Sequence, residues 1–379
     1  MLRSHIRLGR IAGIEIGLHY SWFIIAILIT WSLVVQFRQT TPWWSTDVIW
    51  GAAIITSVLF FVTLLMHELA HSLLAKARGL KVRAITLFAL GGVSQIESEA
   101  EDAKSEFWIA IVGPLTSVAI GFACIGLSRV AGWSSEGRAV TPVAAVLLWL
   151  GYINILLGIF NMIPGYPLDG GRVLRGIIWW ITKNQAKSTR TAARVGQVVA
   201  ILFILYGLYR FFLGENFGGL WLAFIGWFLL DAARGSVFQT ELVTELRGRH
   251  VSDLMDRDCA TVESHISVHD FVEEYLLRRG QRCFVVVQNN AVVGLLTSAE
   301  VRKVRREDWP VTSLQSIMRP LSQVRAVSPD TPALQALEMM AKEDINQLPV
   351  ISDGHLEGIF SRTHVLKFLQ LHAELQGHR

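Results

Sequence analysis

Thr63-Leu64-Leu65-Met66-His67-Glu68-Leu69-Ala70-His71 lies in an apolar run that begins at Val48 and continues to Ala77. Residues four apart share a helix face, so the imidazoles of His67 and His71 stand together and Glu68 sits beside them. Two histidines at this spacing can hold one metal ion, with the glutamate close to a water on it. Position adds to pattern. Ionisable groups inside an apolar helix are expensive and mark function, and packing gives no reason for three of them on one turn.

Working outward, apolar stretches long enough to approach or reach a bilayer span recur at residues 21–36, 48–66, 107–127, 142–163, 195–213 and 219–230. Only 17% of the 379 residues are charged, against about 25% in soluble domains, which excludes a disordered chain or an ordinary cytosolic enzyme. The charge is uneven: residues 1–240 carry 19 basic and 12 acidic side chains, residues 241–379 carry 16 and 19. The expected fold is a multi-pass α-helical membrane domain of six spans over residues 1–238, joined to a polar second domain. Residues 80–97, with Val82, Ile85, Leu87, Phe88, Val93 and Ile96 around Gly91-Gly92, read as a short β-hairpin insert. Trp31, Val34, Val35 and Gln36 offer no small-residue cleavage site, so the first run reads as an anchor. Cys124, Cys259 and Cys283 form no CxxC pair, which argues against a disulfide framework.

Basic residues orient the spans. With the N-terminus inside, Arg3, Arg7 and Arg10, the group from Lys76 to Lys104, and Arg172, Arg175, Lys183, Lys187, Arg190 and Arg194 are all cytosolic. Arg38, Arg129, Arg138 and Arg210 fall outside. Both termini are then cytoplasmic, and Trp43, Trp44, Trp50, Trp133 and Trp221 mark the outer interface. A catalytic zinc site commonly has three protein ligands and one open position. Asp169, in Asn161-Met162-Ile163-Pro164-Gly165-Tyr166-Pro167-Leu168-Asp169-Gly170-Gly171, is the only carboxylate between Glu136 and Glu215. Spans two and four both run out to in, which brings His67, His71 and Asp169 to one depth. That match uses only Lys and Arg.

The chain resembles the site-2 protease family of intramembrane zinc metalloproteases. The likeness rests on the motif at residues 67–71, Leu87-Phe88-Ala89-Leu90-Gly91-Gly92, Gly113-Pro114-Leu115 and the run at 161–171. It implies one Zn2+ per chain held by His67, His71 and Asp169. Glu68 is then the general base and acid, and Asn161 holds substrate backbone near the metal. Ser117 stands where the family often has Asn, which bears on one substrate contact. The implied substrates are transmembrane proteins in the lipid bilayer of a cell membrane, typically membrane-anchored regulators such as anti-sigma factors. Their helix must unwind for cleavage, and the strand at 87–92 is expected to offer an edge to the extended segment. His19, at similar depth, reads either as an interfacial residue bonded to backbone or as a group near the metal. The outer connections (residues 37–47, 128–141, 214–218) are too short for a substrate-selecting domain. A transporter would spread polar residues along several spans; here they gather at one depth.

The second domain repeats. Val251-Ser252-Asp253-Leu254-Met255 parallels Leu314-Gln315-Ser316-Ile317-Met318, and Gly294-Leu295-Leu296-Thr297 parallels Gly358-Ile359-Phe360-Ser361, at offsets of 318−255 = 63 and 358−294 = 64. Each unit reads as helix (268–277; 333–341), strand (283–287; 347–351), second strand, and helix (298–305; 362–371). This α/β module resembles a tandem CBS pair over 245–375, with units at about 250–308 and 312–372. The resemblance implies an adenosine nucleotide between the units and a homodimer. Glu300 and His364 stand where the family often has an Asp that holds ribose. The acidic balance argues against nucleic acid.

Overall fold

A computed structural model describes residues 6–89, 91–96, 100–132, 141–214, 218–257, 261–279, 283–289, 291–320, 325–343, 345–352 and 355–376. Arg3, Leu90, Trp133, Glu136, Arg138, Glu215 and Cys259 lie outside them. The chain forms two compact units, Met1–Thr240 and Glu241–Arg379.

Among the described residues six helices are long and apolar enough to cross a membrane: α1 (Ser21–Thr40), α2 (Thr46–Ala77), α3 (Ala103–Val130), α4 (Pro142–Asn161), α6 (Gln185–Phe212) and α7 (Gly218–Leu246). Their starts are written in the sequence. Asp102 accepts the Ser105 N–H at 2.8 Å to cap α3, Thr141 caps α4 ahead of Pro142, and Asn184 caps α6 through the Lys187 N–H at 2.9 Å. A further helix, α5 (Asp169–Thr182), is absent from the sequence reading. Its 14 residues are too few to span a bilayer. Pro164 and Pro167 keep the chain from continuing α4, and the helix restarts on Asp169.

The expected hairpin is half of a larger sheet. β1 (Ile6–Ile11), β2 (Ile14–Leu18), β3 (Val82–Phe88) and β4 (Gly91–Ile96) pair in the order β1-β2-β3-β4, with β2 and β3 parallel. Ala12 and Gly13, both at positive φ, turn β1 into β2. Ile14, Ile16, Leu18, Ile85 and Leu87 pack on Phe61 and Leu64 of α2, one turn before His67. Burial of each such side chain contributes about 1.5–3 kcal/mol. One expectation is corrected. β3 is paired on both sides from Ala84 to Leu87, so that stretch presents no free edge; among the described residues the open edge next to α2 is that of β4.

In the second unit β5 (Thr261–Glu263), β6 (Cys283–Gln288), β7 (Ala291–Thr297) and β8 (Arg319–Pro320) form one sheet, and β9 (Gln347–Ser352) pairs with β10 (His355–Ser361). Bridges from Val327 to Val350 and from Asp256 to Ile359 give the second half the same pattern. Each half thus closes its partner's sheet: Arg319 completes the first, Asp256 the second. Phe271, Phe284, Leu296 and Leu314 form one core, and Met340, Leu348 and Phe360 another. The helix expected at 298–305 is confined to Ser298–Val301.

Candidate metal centre

α2 turns His67 and His71 inward, 2% and 4% exposed, and the first residue of α5 meets them. Asp169 Oδ2 lies 3.1 Å from Nε2 of each histidine, and the two Nε2 atoms are 3.2 Å apart. Atoms bonded to one tetrahedral zinc at about 2.0–2.1 Å stand about 3.3 Å from each other. Among the described residues this is the one such group of His, Cys, Asp or Glu.

The protons point to the same conclusion. His71 Nδ1 is 2.6 Å from the Ile109 carbonyl oxygen, which can only accept. The Nδ1 therefore carries the hydrogen, and Nε2 of the neutral ring presents its lone pair. His67 Nδ1 lies 2.9 Å from Ser117 Oγ. Lone pairs and a carboxylate oxygen at these separations repel unless a cation lies among them, so the donor set fits a divalent metal.

Room for this arrangement comes from α3. A Cβ at Gly113 would overlap the His71 ring. Pro114 follows, so the Ala110 carbonyl lacks its helical donor. α3 also anchors α5. Glu106, 1% exposed, places Oε1 3.0 Å from Arg172 Nε and 3.0 Å from Arg175 Nη2. Arg172 is one turn beyond Asp169, so this buried cluster fixes the carboxylate's helix. Removing the anion with Glu106→Ala strands two guanidinium groups, a change that typically costs about 3–5 kcal/mol. The expected result is about 10–100-fold weaker zinc affinity, measured by chelator competition, with wild-type retention counting against the anchoring role.

Glu68 lies beside β4, where Ser94 Oγ donates to its Oε2 at 3.1 Å. Asn161 ends α4, half-buried, at the head of the bend that leads to Asp169. His19 serves the sheet: its N–H donates to the Leu87 carbonyl at 2.9 Å and its Nδ1 accepts from the Ser21 N–H at 3.2 Å. Sequence reasoning missed Glu106 and Ser94 altogether, and connected Ser117 only with a substrate contact, whereas its Oγ lies against His67 Nδ1. In the second unit both residues at the ribose-type positions are engaged. Glu300 Oε1 is 2.7 Å from Arg319 Nε, and His364 Nε2 is 3.1 Å from Asp256 Oδ2. The two pairs occupy repeat-equivalent places with acid and base exchanged.

The family model described as Peptidase family M50 matches residues 55–134 and 131–205, and the CBS domain model matches 251–307 and 314–371. The chain is 34% identical over 377 residues to "Putative zinc metalloprotease Rip3" of Mycobacterium tuberculosis, across 98% of this chain and 94% of that one. It is 29% identical over 376 residues to "Zinc metalloprotease MJ0392" of Methanocaldococcus jannaschii, across 98% of each. Among solved structures, the "Site-2 Protease from Methanocaldococcus jannaschii" is 30% identical and covers 61% of this chain and 94% of its own, with a TM-score of 0.43.

Proposed function

The chain belongs to peptidase family M50 and is a multi-pass membrane zinc metalloendopeptidase with a tandem CBS pair, and on that premise we propose that it cleaves transmembrane segments of membrane-anchored regulatory proteins near the cytosolic face. The observation that carries this reading is the convergence of His67, His71 and Asp169, with Glu68 alongside. In this reading the three hold one Zn2+ and Asn161 holds substrate backbone. Bound zinc supplies a Lewis acid that makes water acidic near neutral pH and polarises the scissile carbonyl. Glu68 accepts a proton from the attacking water and returns it to the leaving amine. Ser117 and the Ile109 carbonyl hold the two rings in orientation.

A substrate helix has its carbonyls bonded internally, so a few residues must unwind. Among the described residues β4 has an open edge, which suits an extended segment. The distribution of Lys and Arg supports cytoplasmic termini and a site opening to the cytosol. We assign adenosine-nucleotide sensing and homodimerisation to the CBS pair; a nucleotide that uses Glu300 or His364 has to displace Arg319 or Asp256.

The test is cleavage of a fluorogenic single-span peptide by the full-length protein in vesicles of phosphatidylethanolamine and phosphatidylglycerol. Cutting in the cytosolic third of the peptide, lost on metal stripping and restored by one equivalent of zinc, is expected. Undiminished cleavage after stripping defeats the proposal. Parallel runs with ATP, ADP and AMP read out the CBS pair.

A further inference from the structure

The Glu68 side chain is gripped by its neighbours. Gly92 of β4 lies so close that a Cβ there would stand 2.5 Å from Glu68 Cγ. Ser72, one turn beyond Glu68 on α2 and fully buried, donates its hydroxyl to Ser94 Oγ at 3.0 Å. Ser94 Oγ in turn donates to Glu68 Oε2 at 3.1 Å. A hydroxyl has a single hydrogen. Because Ser72 supplies one hydrogen to Ser94, the hydrogen of Ser94 is left for Glu68, and the chain of bonds has one direction.

A glutamate has three rotatable side-chain bonds, and free rotation would spread its carboxylate over several positions. Here Gly92 confines the stem, and Ser94 draws Oε2 toward the strand. We propose that Ser94 is a positioning residue for Glu68 and that Ser72 sets the direction of the Ser94 hydroxyl. This rests on the reading of Glu68 as the base. It also ties the base to β4. Ser94 acts through its side chain toward α2, so its loss should spare peptide binding at the strand's backbone.

The experiment uses the full-length protein in vesicles with the same fluorogenic peptide. Ser94→Ala is expected to lower kcat by about 10–100-fold, the range set by a misplacement near 1 Å. KM should stay within about twofold and zinc content should be unchanged. Ser94→Thr keeps the hydroxyl and should recover most of kcat. Ser72→Ala should cost about threefold alone and nothing further beside Ser94→Ala, since coupled residues are not additive. The proposal is overturned by full kcat in Ser94→Ala, by zinc loss that accounts for the defect, by Ser94→Thr as slow as Ser94→Ala, or by multiplicative losses in the double variant. A Glu68→Gln reference separates the two readings. Turnover in that variant removes the base itself, whereas an inactive reference beside a fully active Ser94→Ala removes the positioning role alone.

Discussion

Glu68→Gln is expected to lower turnover by about 10³–10⁴-fold while the protein keeps one zinc per chain. Positioned proton transfer contributes about 10²–10⁴, and Glu68 is used twice, once toward water and once toward the leaving amine. Glutamine has nearly the same shape. Its carbonyl oxygen can still accept from Ser94, and the methylene that lies against Gly92 is unchanged. The packing of β4 on α2 therefore survives. What disappears is a carboxylate able to accept the proton of the attacking water. The three-atom cluster of His67, His71 and Asp169 does not include Glu68, so elemental analysis should find zinc undiminished. Single-turnover cleavage of the membrane peptide gives the rate. If zinc departs together with activity, Glu68 is holding the metal site together and its role in proton transfer loses its support.

The parts of this molecule that were legible in the sequence are those in which one segment carries the whole message. A pair of histidines four apart advertises a shared helix face, and a lone carboxylate in a long uncharged stretch stands out as a partner. Apolar runs near the length of a bilayer gave the number and order of the spans. The N-terminal strands were legible too, in Ile14, Ile16 and Leu18 alternating after Ala12-Gly13. They were passed over because the neighbouring arginines read as the flank of an anchor. α5 was hidden for a different reason. Its first turn is Asp169-Gly170-Gly171, poor helix formers, and its stability comes from Glu106 reaching two of its arginines. Glu106 and Arg172 are 66 residues apart, and Glu68 and Ser94 are 26 apart. Nothing local to any of these residues records the other's presence. A serine at Ser117 in place of the expected asparagine was noticed, but its partner His67, 50 residues away, was not.

The second large effect is expected from a single methyl group. Gly113→Ala should leave the purified protein with little or no zinc. The added carbon would occupy the space of the His71 imidazole. That ring has little freedom to retreat. Its Nδ1 is bonded to the Ile109 carbonyl of the same helix that bears the new methyl, and its Nε2 is committed toward Asp169 and His67. Either the ring swings away from Asp169, or α3 withdraws from α2 and carries with it Glu106, to which α5 is tied. Both routes break the three-atom cluster. Substitutions that disturb only the supports of a ligand weaken metal binding by about 10–100-fold; here the ligand itself is displaced, and the loss should exceed that range. Gly126→Ala is the matched control. It lies in the same helix, and its added carbon meets nothing within 4 Å. Alanine is favoured over glycine in a helix by up to about 1 kcal/mol, so this variant should fold at least as well and hold one zinc. Full zinc occupancy in Gly113→Ala would mean that α2 and α3 do not meet at His71, and the geometry that brings Asp169 to the histidines would fall with it.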